Sequence, residues 1–175
     1  VALEVESAHI LHKTEAGGVA LQLVDAASVA NAYARIVENV TRHVSAARID
    51  GVLVQPMMTG GVEMVVGLHR DPVFGTVVMA GLGGIHVEVL KDIAFRKAPV
   101  TAAEAGRMLD ELKSRAILYG VRGGPAVDMT ALTCLISAVS QFGVGAGERL
   151  AELDLNPVRA GPEGAIALDW LMICR

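Results

Sequence analysis

Glu152-Leu-Asp-Leu-Asn-Pro-Val158 and Ala165-Ile-Ala-Leu-Asp-Trp170 flank the stretch Gly161-Pro-Glu-Gly164, and together they decide how this chain is read. The glycine–proline stretch is a tight-turn signal, so its flanks are expected to be two antiparallel strands. A turn centred between Pro162 and Glu163 sets Asn156 directly opposite Asp169. Alternation along each strand then gathers Asp154, Asn156, Ala167 and Asp169 on one face, and Leu153, Leu155, Ile166, Leu168 and Trp170 on the other. The apolar face is expected to be a core face. The other brings together an amide oxygen and two carboxylates, with Cβ atoms roughly 5 Å apart across the strands. Such oxygens suit a hard cation such as Mg2+, which binds through one or two protein oxygens plus substrate phosphates. The same pattern also describes the solvated face of an edge hairpin, although Asp and Asn are depleted in strands.

With 175 residues, 53% of them hydrophobic, the chain can bury a core in one or two lobes. A net charge of −4 argues against a nucleic-acid partner. No run of about 18 consecutive apolar residues occurs, so no membrane span is expected. Cys134 and Cys174 form no metal or disulfide pattern, and a cytoplasmic location is the expectation. One Trp, two Tyr and three Phe are few for so apolar a chain, which suggests a part of a larger protein.

Working back towards the start, Asp128 to Phe142 reads as a helix that Asp128 can cap, and Ala102 to about Leu118 as another. Val87 to Leu90 and Ile93 to Ala98 read as short strands, Val62 to Leu68 and Thr76 to Ala80 as longer ones. Val52 to Met57 is a strand stopped at Pro56. Ala26 to His43 is a helix with Ser28 as its cap, and Val1 to Glu6 and Val19 to Val24 are β-runs. Strand pairs with helices on one side make this an α+β chain.

Three stretches can carry chemistry. His12-Lys-Thr-Glu-Ala-Gly-Gly-Val19 is a polar turn in which Gly17 and Gly18 let backbone N–H groups approach an anion, and Lys13 can assist. His12 can accept a phosphoryl group or carry a proton, as an imidazole can. The strand ending at Gln55 and Met57 has free backbone groups for an adenine edge, and Glu63 can reach a ribose hydroxyl. Gly81-Leu-Gly-Gly84 resembles a phosphate loop loosely, with Arg96 and Lys97 as candidate phosphate contacts. Ordinary loop and core roles remain open for all three.

In sequence order, Ile10-Leu-His-Lys-Thr-Glu-Ala-Gly-Gly-Val19, Leu53-Val-Gln-Pro-Met57, Gly61-Val-Glu-Met64, Asp71-Pro-Val-Phe-Gly75, Gly81-Leu-Gly-Gly-Ile85 with Val87-Glu-Val-Leu-Lys-Asp-Ile-Ala-Phe-Arg96, and Glu152-Leu-Asp-Leu-Asn-Pro-Val158 resemble the ATP-grasp region of NDP-forming acyl-CoA synthetases. These enzymes are relatives of the succinyl-CoA synthetase β subunit. The resemblance runs over nearly the whole chain. It implies an ATP-grasp fold, with residues 1–50 a truncated first subdomain and 51–175 the second. It also implies ATP and Mg2+ as cofactors, with phosphates at Gly17 and Gly18, adenine at Gln55 to Met57, Glu63 on the nucleotide, and the metal on Asn156 and Asp169. The resemblance also implies a second phosphohistidine, whose place His12 takes. The reaction implied is acid plus CoA plus ATP giving acyl-CoA, ADP and phosphate, with CoA-binding and ligase domains or a second subunit as partners, in an oligomer. One residue departs from the pattern. The family strand has a lysine that meets the ATP phosphates where this chain has Glu4. That departure leaves a second expectation beside the ligase, a non-catalytic module regulating a fused acetyltransferase-type domain.

Overall fold

The structure, a computed structural model, describes residues 1–10, 12–84, 89–121 and 123–175. They divide into two units, Val1–Thr59 and Gly60–Arg175.

In the first unit, β1 (Ala2–Glu6) lies between β2 (Val19–Ala20) and β3 (Gly51–Gln55), antiparallel to both. Alternation along β1 buries Leu3 and Val5 and turns Glu4 and Glu6 the other way. Helix α1 (Ala26–His43) covers the buried face with Ala32, Ile36 and Val40, spaced four apart so that they share a side. Its cap is Asp25, with Ser28 closing a reciprocal capping box, where the sequence pointed to Ser28. The expected β-run to Val24 stops at Ala20, because Gln22 sits at φ +59, which a strand cannot contain. Strand β3, assigned from sequence to the second subdomain, completes this unit's sheet.

In the second unit the sheet runs β6 (Ile93–Lys97), β5 (Gly75–Leu82), β4 (Val62–Asp71), β7 (Leu150–Gly161), β8 (Gly164–Ala167), all antiparallel, with β9 (Trp170–Cys174) beside the first half of β7. Helices α2 (Ala102–Asp110) and α3 (Met129–Ala146) pack together over it. Leu68, Val78, Met108, Leu109, Leu132 and Ile136 form the centre of that core. The α+β reading is borne out. By length and composition alone the segment Met129–Arg149 is apolar enough to cross a membrane. Within it, Leu132 and Ile136 are fully buried in the core.

Two sequence expectations fail here for visible reasons. Helix α2 stops at Asp110 instead of running to Leu118, and a 3-10 turn follows at Arg115–Ile117. Lys113 and Ser114 donate their N–H groups to the buried Asp92 carboxylate at 2.8 Å each, donors that a continued helix would need for itself. The strand expected over Val87–Leu90 is not formed at Val89 and Leu90, which are helical, and its other residues lie outside the described ones.

The hairpin register is the expected one, from Gly161↔Gly164 through Val158↔Ala167 to Asp154↔Leu171. Asn156 N–H donates to the Asp169 carbonyl at 3.2 Å. The expected faces hold only in part. Against β4 the register slips between Val66↔Leu155 and Met64↔Val158, so β7 carries an extra residue at Asn156–Pro157. Before this kink Leu153 faces the core. After it Val158 and Ala160 do, with Ala165 and Ala167 packed beside them. Ile166 and Trp170, expected inside, are 48% and 62% exposed.

Candidate functional site

The His12–Val19 turn is folded onto its own unit. Gly17 N–H donates to Thr14 O, Gly18 N–H to Lys13 O and Ala16 N–H to His12 O, while Gly18 O accepts from Val5 N–H. A Cβ at Gly18 would stand 2.5 Å from Val5 Cγ1, and Gly17 has φ +66 against Asn39. The two glycines thus let the turn pack onto β1 and α1, and their amides are donated within it. His12 is exposed on this turn and Lys13 is half-buried. The Lys13 ammonium pairs with Glu4 and lies 4.0 Å from Glu6. Gln55 Nε2 donates to the second Glu4 oxygen at 3.3 Å. Met57 is half-buried two residues beyond. The structure therefore brings Glu4, Lys13 and Gln55 together, a cluster the sequence did not foresee.

In the second unit, Glu63 stands near the start of β4, exposed, with its carboxylate on Arg159 at 2.8 Å. Gly83 N–H donates to Glu63 O at 2.7 Å, so the Gly81–Gly84 stretch lies against it. Gly61, Val62, Glu63, Leu82, Gly83, Gly84 and Ile117 line a cavity of about 270 Å3. Arg159 was missed from sequence, because only the β4–β7 register makes it the cross-strand partner of Glu63. Arg96 is held by Glu104 and Glu111, which keep its guanidinium charged and tie β6 to α2. It therefore belongs to the packing of the fold.

Asn156 and Asp169 face each other at the kink, with Asp154 beside them. Burial pushes the Asp154 carboxyl above its usual range, and the charges of Glu152 and Asp169 add to this against a hydrogen bond from the Asn156 side chain. Asp154 Oδ1 is buried without a hydrogen-bond partner. Asp169 Oδ1 accepts from Trp170 N–H at 2.8 Å. Among the described residues no three His, Cys, Asp or Glu side chains gather at metal-ligand spacing. The donor set is nevertheless all oxygen, and an orphaned carboxylate oxygen is what a missing hard cation or hydrogen-bond donor leaves behind. A magnesium ion that completes its shell from nucleotide phosphates fits these residues.

A family model described as an ATP-grasp domain matches residues 1–174. The chain belongs to the ATP-grasp domain family. Among its relatives are acetate–CoA ligase [ADP-forming] I of Archaeoglobus fulgidus, 43% identical over 99% of the chain and 25% of that protein. The β subunit of the ADP-forming acetate–CoA ligase I of Pyrococcus furiosus is 39% identical over 99% of the chain and 74% of that subunit. A solved structure of the dinucleotide-forming acetyl-coenzyme A synthetase 1 of Ca. Korarchaeum cryptofilum, in complex with coenzyme A, Ca-AMPCP and HgCl+, superposes with a TM-score of 0.95. It is 42% identical, covering 99% of the chain and 76% of that one. The chain thus spans about a quarter of the first curated relatives it matches. It is an ATP-grasp fragment homologous to ADP-forming acyl-CoA synthetases.

Proposed function

We propose that this chain binds ATP for an ADP-forming acyl-CoA synthetase, in which acid, CoA and ATP give acyl-CoA, ADP and phosphate. The γ-phosphoryl group passes to an imidazole as ADP leaves, then to the acid carboxylate, and the CoA thiolate displaces inorganic phosphate from the acyl phosphate. His12, exposed on its turn, is the imidazole this chain contributes. Gly17 and Gly18 shape the turn that carries it. Gln55 and Met57 receive the adenine, and Glu63 the nucleotide. Asn156 and Asp169 would hold Mg2+, which supplies positive charge to the phosphates. CoA-binding and ligase domains, or a subunit bearing them, complete the enzyme as an oligomer in the cytoplasm.

The observation that carries this reading is the buried, unsatisfied Asp154 carboxylate oxygen beside Asn156 and Asp169, which the hairpin register sets opposite each other. The names of the relatives support it. So does a further structure of the Korarchaeum synthetase with Mg-AMPPCP, whose phosphohistidine segment points towards the nucleotide binding site. The relatives named here are ligases and synthetases, which leaves the regulatory-module reading without support.

Asp169→Asn in the full-length protein tests the assignment. Removing one ligand charge should weaken Mg-ATP binding roughly 100-fold, or about 3 kcal/mol, with the melting temperature little changed. Equal Mg-ATP affinity in calorimetric titrations of mutant and parent would return the hairpin to a solvated edge.

A further inference from the structure

Glu4 and Glu6 project from the same side of β1, and the loop lysine between them is taken up by the first and lies 4.0 Å from the second. Both partners of the main pair are largely sheltered, with 12% of the Glu4 side chain and 17% of the Lys13 side chain exposed. Gln55 reinforces the arrangement by donating to the other Glu4 oxygen. The turn's glycine amides are donated to Thr14 O and Lys13 O. Among the described residues, an anion arriving at this turn therefore meets two carboxylates for one ammonium, and that ammonium is already paired. Attraction between a polyphosphate and Lys13 has to be taken from Glu4, since a closely paired charge presents little net field to a third group.

We infer that Glu4 sets the affinity of this turn for nucleotide phosphates, by holding Lys13 as an internal counter-ion that the phosphates must displace. The inference rests on the reading of the chain as a nucleotide-binding unit and adds to it a residue that limits binding. It has a signature that simple charge repulsion lacks. The effect of removing Lys13 must depend on whether Glu4 is present, because with Glu4 in place the lysine is largely spent on it.

The experiment is a double-mutant cycle on the full-length protein, with Mg-ATP titrated calorimetrically at low and moderate salt. Glu4→Gln keeps the side-chain size and an oxygen for Gln55, and should tighten binding about tenfold with a steeper salt dependence. Lys13→Met in the native background should weaken binding by no more than about threefold. In the Glu4→Gln background the same change should remove the whole gain. A native protein that does not bind measurably while Glu4→Gln does also supports the inference. Unchanged or weaker binding by a natively folded Glu4→Gln protein overturns it. A Lys13→Met loss equal in both backgrounds does the same. Should Glu4→Gln fail to fold, the Lys13→Met arm decides alone, since a loss of tenfold or more in the native background shows a lysine already serving the phosphates. Absence of binding by all four forms removes the nucleotide reading itself, and this inference with it.

Discussion

The turn at His12–Val19 and the polar face of the hairpin at Asn156 and Asp169 were both singled out by their residues, and they answer the same physical question in opposite ways. At the turn, the groups that looked available to a ligand are engaged by neighbours. The glycine amides close the turn on itself, and Lys13 pairs with Glu4. At the kink, Asp154 Oδ1 is buried with nothing to accept from, beside Asn156 and Asp169. A polar group left unsatisfied costs stability, so it points to a ligand more strongly than any motif that is internally complete. Glycines have a packing explanation as often as a binding one, and at the turn the packing explanation is visible.

The largest effect is expected where that explanation is strongest. Gly18→Ala places a Cβ 2.5 Å from Val5 Cγ1, in the unit's interior, and 3.1 Å from Lys13 O of the turn backbone. Overpacking of this kind should destabilise the first unit by about 2–3 kcal/mol. Chemical denaturation of native and mutant protein measures it. Unchanged stability with lost ATP binding would instead make the turn a phosphate cradle and undo the comparison.

Much of the hairpin was legible before the structure. A turn position and strict alternation gave the register that pairs Asn156 with Asp169, because two-residue turns leave little choice. What could not be read was the kink, since an extra residue shows only against the partner strand. It reversed the inside and outside of Ile166, which pairs with Arg159 beyond it, while leaving the polar trio together. The Glu4–Lys13 pair was illegible for a different reason. Side chains nine positions apart meet there only because the turn folds back on β1. The early end of α2 depends on Asp92, 21 residues before Lys113. Local patterns carried the elements, and contacts distant in sequence decided where they end and what they pair with.

Asp92 supplies the counterpart to Asp154 within one sheet unit, a buried carboxylate that is fully used. It is 4% exposed and accepts from Lys113 N–H and Ser114 N–H. Burial pushes its carboxyl up, but these two bonds, with help from the Ser114 side chain and the Lys113 charge, hold it below the usual value of 3.8. Asp92→Ala strands both donors and should cost about 2 kcal/mol at pH 7. A carboxyl with a lowered folded pKa contributes stability that is present above its unfolded value, near 3.9, and is lost as pH falls through the folded one. The gap between native and mutant should therefore narrow when denaturation is repeated near pH 3. A gap that stays constant with pH would mean the Asp92 charge adds nothing to its hydrogen bonds.

The smallest effect has the opposite sign. Asp154 is half-buried beside the Glu152 and Asp169 charges, and one of its oxygens has no partner. Its pKa is raised, so in the metal-free protein at pH 7 holding it ionised opposes folding. Asp154→Asn removes the charge while keeping the shape, and should stabilise the metal-free protein by about 1 kcal/mol, in the range typical of relieving a strained functional site. The same change removes negative charge that a bound cation would compensate, so Mg-ATP affinity should fall as stability rises. Denaturation in EDTA and titration with Mg-ATP measure the two arms separately. Stability that falls with the substitution would show that the native carboxylate is already satisfied by the fold, as Asp92 is, and the kink would then be as self-contained as the turn. A rise in stability with unchanged Mg-ATP affinity would keep the carboxylate as a liability of the hairpin and place the cation elsewhere.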